Sequence, residues 1–112
     1  MLERRVIRED RIRQIPKSFS WIDREILHSG LLRRLSEAET LLYFFLTMVA
    51  GPEGTSFWGY RSMGRLLKLS EEEIRAATGG LLRKDLIAFR FPTYQVLSIP
   101  PRTGEEAKGE RP

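Results

Sequence analysis

Two Ser-x-x-Glu boxes, Ser36 with Glu39 and Ser70 with Glu73, frame the chain. In each, the serine hydroxyl can accept from the amide three residues on while the glutamate carboxylate accepts from the serine's own amide, so each box marks a helix start. Behind the first box, Ala38, Leu41, Leu42, Phe45, Met48 and Val49 recur at helical spacing until Gly51-Pro52 ends the run. Tyr43, Phe44 and Leu46 widen that stripe to most of the circumference, which requires cover on more than one side, from a preceding short helix or from another chain. Behind the second box, Ile74, Ala77, Leu81 and Leu82 form the inward stripe.

After Asp85 the period changes from helical to alternating. Leu86 to Phe91 and Tyr94 to Ile99 are β-rich runs separated by Pro92-Thr93, which predicts a hairpin with Phe91 opposite Tyr94 and Arg90 opposite Gln95. Between the boxes, Ser56-Phe57-Trp58 has the composition of a very short strand. Tyr60 to Leu67 carries Met63, Leu66 and Leu67 at helical spacing, with Lys68-Leu69 as a tight connection. Upstream, Ser20 stands as a helix N-cap before Trp21, Ile22, Ile26 and Leu27, and Gly30 supplies a stop, predicting a short helix from Trp21 to His28. Leu31, Leu32 and Leu35 continue an apolar path to the first box. The expected fold class is mainly α with a small β-hairpin (α+β), built from three main helices plus an extra N-terminal short helix.

The 112 residues suffice for one small domain. It is expected over 18–100, with a basic arm over 1–17 and a polar, disordered tail over 101–112. The charge is unevenly spread: Arg4, Arg5, Arg8, Arg11, Arg13 and Lys17 give the arm a net +3, the body is +1 and the tail neutral. Of the 19 basic residues 15 are Arg, whose planar fork suits phosphates and base edges. The absence of Cys excludes a disulfide scaffold, a thiolate metal site and a cysteine nucleophile. His28, the single histidine, fits a cation near a helix C-terminus better than a metal ligand or a catalyst. Ser-x-x-Lys, Gly-x-Ser-x-Gly and P-loop patterns are missing, and consecutive Glu71, Glu72 and Glu73 cannot converge on one ion. The chain is therefore expected to be no enzyme and to take no cofactor, no metal and no small-molecule substrate. Apolar runs too short for a membrane span and an Arg-studded start point to a cytoplasmic, nucleoid-associated protein.

Two short helices with a hairpin directly after the second resemble a winged helix-turn-helix. Arg65-Leu66-Leu67-Lys68-Leu69-Ser70, then Ile74, Ala77, Leu81 and Asp85-Leu86-Ile87, are similar to that family's helix, turn, recognition helix and exit into the wing. Ile15-Pro16-Lys17-Ser18-Phe19-Ser20-Trp21 and the helix containing Leu41 to Leu46 also resemble short helix-turn-helix proteins of bacterial mobile elements and, more distantly, winged domains of plasmid replication initiators. The resemblance implies double-stranded DNA as partner, with the chain acting by occupancy as a small transcriptional regulator or a mobile-element or replication accessory factor, as a homodimer or with a partner protein.

On that reading Arg75 is the main base reader, Arg61, Arg65 and Lys68 hold phosphates, and Arg90 and Gln95 contact DNA from the wing. Against it stands the opening of the recognition helix. Glu71-Glu72-Glu73 suit the helix dipole but repel phosphates, with Glu71 or Glu72 left as possible acceptors from a cytosine amino group. Gly79 and Gly80 each cost about 1 kcal/mol in a helix, which points to tight helix packing or to close approach by DNA or a partner. The aromatics Tyr43, Phe44, Phe45, Phe57, Trp58 and Tyr60 are expected mainly in the core. The alternative is a protein-interaction module that keeps the winged fold without specific DNA recognition.

Overall fold

The computed structural model describes residues 5–100, so Arg4 of the arm and the tail over 101–112 lie outside the described residues. The fold is α+β: helices α1 (Glu25–His28), α2 (Glu37–Val49), α3 (Tyr60–Leu67) and α4 (Glu71–Arg83) pack with strands β1 (Thr55–Phe57), β2 (Ile87–Arg90) and β3 (Thr93–Val96). The strands form one antiparallel sheet in the order β1-β3-β2. No helix among the described residues is long and apolar enough to cross a membrane.

Both capping boxes form as the residue types require. Ser36 and Ser70 accept from the amides of Glu39 and Glu73 at 3.1 and 3.0 Å, and the two carboxylates accept from the serine amides at 3.0 and 2.8 Å. The short first helix starts later than its sequence suggests. Ser20 does not cap it; its hydroxyl donates to the carbonyl of Met48 at 2.5 Å, tying the segment before α1 to the end of α2. Asp23 takes the initiating role by accepting from the Glu25 amide at 2.9 Å, so only Ile26 of the expected apolar face is buried.

The core gathers Leu42, Tyr43, Phe45 and Leu46 of α2, Met63 of α3, Ile74, Ala77 and Leu81 of α4, and Leu86, Ile87 and Tyr94 of the hairpin. Several residues assigned inward by periodicity lie on the surface instead: Leu41, Phe44 and Met48 on α2, Leu66 on α3 and Leu82 on α4. Of the aromatics expected inside, Phe57 is also exposed, while Trp58 and Tyr60 are half-buried. Trp58 packs edge-on against Phe45 with ring centroids 4.9 Å apart, joining the strand region to α2.

Gly80 is buried rather than on the outward side of α4, and it meets the expectation of tight helix packing. A methyl group there would strike the Glu39 carboxylate, which closes the first capping box and pairs with Lys84 at 3.1 Å. Glycine lets α4 approach α2 closely enough for that carboxylate to lie between them. Gly79, half-buried, would meet only the end of the Arg83 side chain.

The hairpin register also differs from expectation. Arg90 pairs with Thr93, Phe89 with Tyr94 and Ala88 with Gln95, so Phe91 and Pro92 form the two-residue loop. The shift of two residues preserves which side chains face the core. Phe89 can then stack on the fully buried Tyr94 at 4.4 Å, leaving Phe91 at the tip. The first strand covers Thr55–Phe57 and pairs with β3 as Thr55 to Gln95, Ser56 to Tyr94 and Phe57 to Thr93.

Candidate nucleic-acid interface

The connection between α3 and α4 fixes where the basic residues stand. The amide of Leu69 donates back to the Gly64 carbonyl at 3.0 Å, and Lys68, the residue between helix and turn, has φ 60° in the left-handed region. A methyl group on Gly64 would lie 2.6 Å from the Leu69 carbonyl oxygen, so the turn closes this tightly only over glycine. The sequence does not single out Gly64 as a functional position. Its signal was a lone glycine inside a helical pattern just before a tight connection.

Arg61 and Arg65 are one turn apart on the exposed side of α3, and Lys68 follows at the turn, so the three bases share one edge. Arg61 Nε lies 3.9 Å from a carboxylate oxygen of Glu71, a loose and exposed pair between the start of α3 and the first turn of α4. Arg75, exposed on α4, places its guanidinium 5.1 Å from the ring centre of Tyr60. That cation–π contact orients the arginine while leaving its N–H fork in solvent. Tyr60 in turn lies 6.3 Å from Phe89 of β2. The start of α3, the middle of α4 and the hairpin therefore meet around Tyr60.

Arg90 and Gln95 form a second group. The row Ser56, Tyr94 and Phe89 faces α4, with the Tyr94 hydroxyl 3.1 Å from Thr78 Oγ1, so the rows on either side face the opposite surface of the sheet. Arg90 and Gln95 both belong to those outward rows and are exposed. They are diagonal neighbours rather than the directly opposed pair expected from the sequence, because Arg90 faces Thr93. Burial pushes the Tyr94 hydroxyl up to about 12, with the Thr78 hydrogen bond acting in the opposite direction. Tyr94 is thus a neutral hydrogen-bonding strut between sheet and α4, not a charged participant.

Glu71, Glu72 and Glu73 are all exposed in the first turn of α4. Glu73 is committed to its capping box and Glu71 leans toward Arg61, which leaves Glu72 to face solvent. Along the arm, residues 5–17 are exposed throughout and make one 3-10 turn, Glu9–Arg11. Arg8 donates to Asp10 through Nε at 3.2 Å and through its terminal nitrogen at 2.7 Å, a local fork that holds the Asp10 carboxyl below its ordinary value.

A cleft of about 620 Å³ lies away from these bases, between the segment from Lys17 to Asp23, the end of α2 and the exit of β3. No motif in the sequence marks this cleft. Burial and the nearby Asp23 charge raise the Tyr43 hydroxyl on its wall. Among the described residues no group of three or more His, Cys, Asp or Glu side chains comes together to hold a metal ion. Comparison with protein-family models, curated proteins and solved structures gives no match, so the chemistry of this surface rests on its own geometry.

Proposed function

We propose that the chain is a double-stranded DNA-binding protein of winged helix-turn-helix type, with α3 and α4 as the two helices of the motif and the β2–β3 hairpin as the wing. The observation that carries this reading is the turn at Gly64 to Ser70. It joins two helices at a fixed geometry, leaves Arg61, Arg65 and Lys68 along one exposed edge, and is followed after α4 by an antiparallel hairpin. Arg75, held over Tyr60, is the base reader entering the major groove; the bases of α3 and the turn hold phosphates, and Arg90 and Gln95 add wing contacts. The arm adds sequence-independent, salt-sensitive affinity. The chain acts by occupying its site, as a small regulator or an accessory of a mobile or replicating element.

A dimer fits the exposed apolar row of α2. Leu41, Phe44 and Met48 are 40%, 52% and 56% exposed, and Phe44 stands near the middle of the helix. A two-fold partner crossing antiparallel at Phe44 would set Leu41 of each copy near Met48 of the other, a self-matching arrangement.

The exposed Glu71 and Glu72 favour one rival, a protein-docking module in which only the arm touches DNA. Binding-site selection from random duplexes, comparing the full chain with residues 18–100, separates the two. The DNA-binding reading expects both to enrich the same sequences, the shorter one more weakly. Enrichment that disappears with the arm contradicts it.

A further inference from the structure

The hairpin tip presents a feature that phosphate and base-edge contacts leave unused. Phe91 is 67% exposed at the outermost point of the wing, where a polar loop residue would be the ordinary choice. It is also braced. Its ring meets Phe89 edge-on at 6.3 Å, Phe89 stacks on Tyr94 at 4.4 Å, and the Tyr94 hydroxyl bonds to Thr78 of α4 at 3.1 Å. From the other side, the Trp58 amide donates to the Pro92 carbonyl at 3.0 Å, and Trp58 packs on Phe45 of α2. The tip is therefore fastened to both long helices through aromatic and hydrogen-bonded contacts, while the ring itself stays in water. Arg90, exposed, immediately precedes it on the strand.

We infer that Phe91, with Pro92 beside it, is an apolar wedge that inserts between base pairs in the minor groove and kinks the duplex, while Arg90, on the other face of the hairpin, meets the flanking backbone. An exposed apolar side chain on a rigid support, with an arginine next to it in the chain, is the combination that unstacking a base step demands. The ring gains a stacked, dehydrated environment, and the rigid support keeps it from folding back when it meets resistance. Pyrimidine–purine steps, above all TA, unstack at least cost, so the wedge gives preference for such a step without any hydrogen bond to a base. This inference rests on the DNA-binding reading and adds a deformation to it.

The test uses the full chain and two duplexes of about 30 bp carrying donor and acceptor dyes at their ends, one with central TA steps and one with a stiff A-tract in their place. Wild-type protein is expected to bend the TA duplex, raising energy transfer, and to bind it more tightly than the A-tract duplex. Phe91→Ala is expected to lose the bend and weaken TA-duplex binding roughly tenfold, without altering the salt dependence that reports phosphate contacts. Phe91→Leu, still an apolar wedge, is expected to keep the bend. Binding without bending, or a bend that survives Phe91→Ala, overturns the wedge and leaves the DNA-binding reading standing. Failure of the wild-type chain to bind either duplex at low salt overturns both.

Discussion

At the scale of single residues, the side chains divide into those that hold the fold and those that are held for something else. Tyr94 belongs to the first group. Its hydroxyl is raised from the ordinary 10.0 to about 12 because burial penalises the phenolate. A folded value above the unfolded one means that the stabilisation is whole below pH 10 and is lost as pH climbs from about 10 to about 12. At about 1.4 kcal/mol per pKa unit, that is a loss of about 2 to 3 kcal/mol. Tyr94→Phe is expected to cost about 1 kcal/mol at neutral pH through the vacated Thr78 partner and to show less loss than wild type in alkali. Urea melts of the two proteins between pH 8 and 12 check this, and parallel losses would contradict it. Arg75 belongs to the second group: it remains solvent-exposed on α4, and its contact with the Tyr60 ring directs the guanidinium without burying it. Sequence alone marked Arg75 as a candidate because few other strong base readers occur after the acidic triplet. It could not supply the Tyr60 contact, since the partner is fifteen positions away and meets it only when α3 and α4 cross.

At the scale of elements, starts were legible and far sides were not. The two capping boxes are local chemistry, written within four residues each, and both form as read. The faces of α2 were harder, because nearly every position is apolar and the periodicity cannot say which of them the sheet and α4 cover. Leu41, Phe44 and Met48 remained outside for that reason. The tight packing at Gly80 was legible from glycine's cost in a helix, but its partner was not, because that neighbour is a carboxylate on another helix, 41 positions away in sequence. The hairpin slid by two residues because alternation fixes the face but not the position of the loop. The turn between α3 and α4 yields its own prediction. Lys68 occupies the left-handed region, which costs a residue with a Cβ about 1 kcal/mol relative to glycine. Lys68→Gly is expected to raise stability by up to about 1 kcal/mol in a thermal or urea melt while weakening binding to duplex DNA. A variant that gains stability and keeps full affinity would remove Lys68 from the interface.

At the scale of the whole molecule, the mild net charge of +4 resolves into an exposed basic arm, an edge of three bases along α3 and its turn, and an acidic first turn of α4. The α2 row lies on a different helix from the proposed DNA-binding bases. It predicts that Phe44→Glu gives a monomer by sedimentation without unfolding, since Phe44 is half exposed, and that the monomer binds DNA more weakly than the wild-type protein. Wild-type protein that sediments as a monomer at all concentrations would contradict the dimer. The central claim is that the bases of α3 and its turn meet phosphates, and the salt dependence of binding measures it most directly. Anisotropy titrations of a labelled random-sequence duplex over a salt series are expected to give a linear fall of log affinity against log salt. Combined Arg61→Ala, Arg65→Ala and Lys68→Ala substitutions should make that slope shallower by about 0.9 for each phosphate contact removed. No binding by the wild-type chain at about 50 mM salt, or an unchanged slope in the triple variant, would contradict the account.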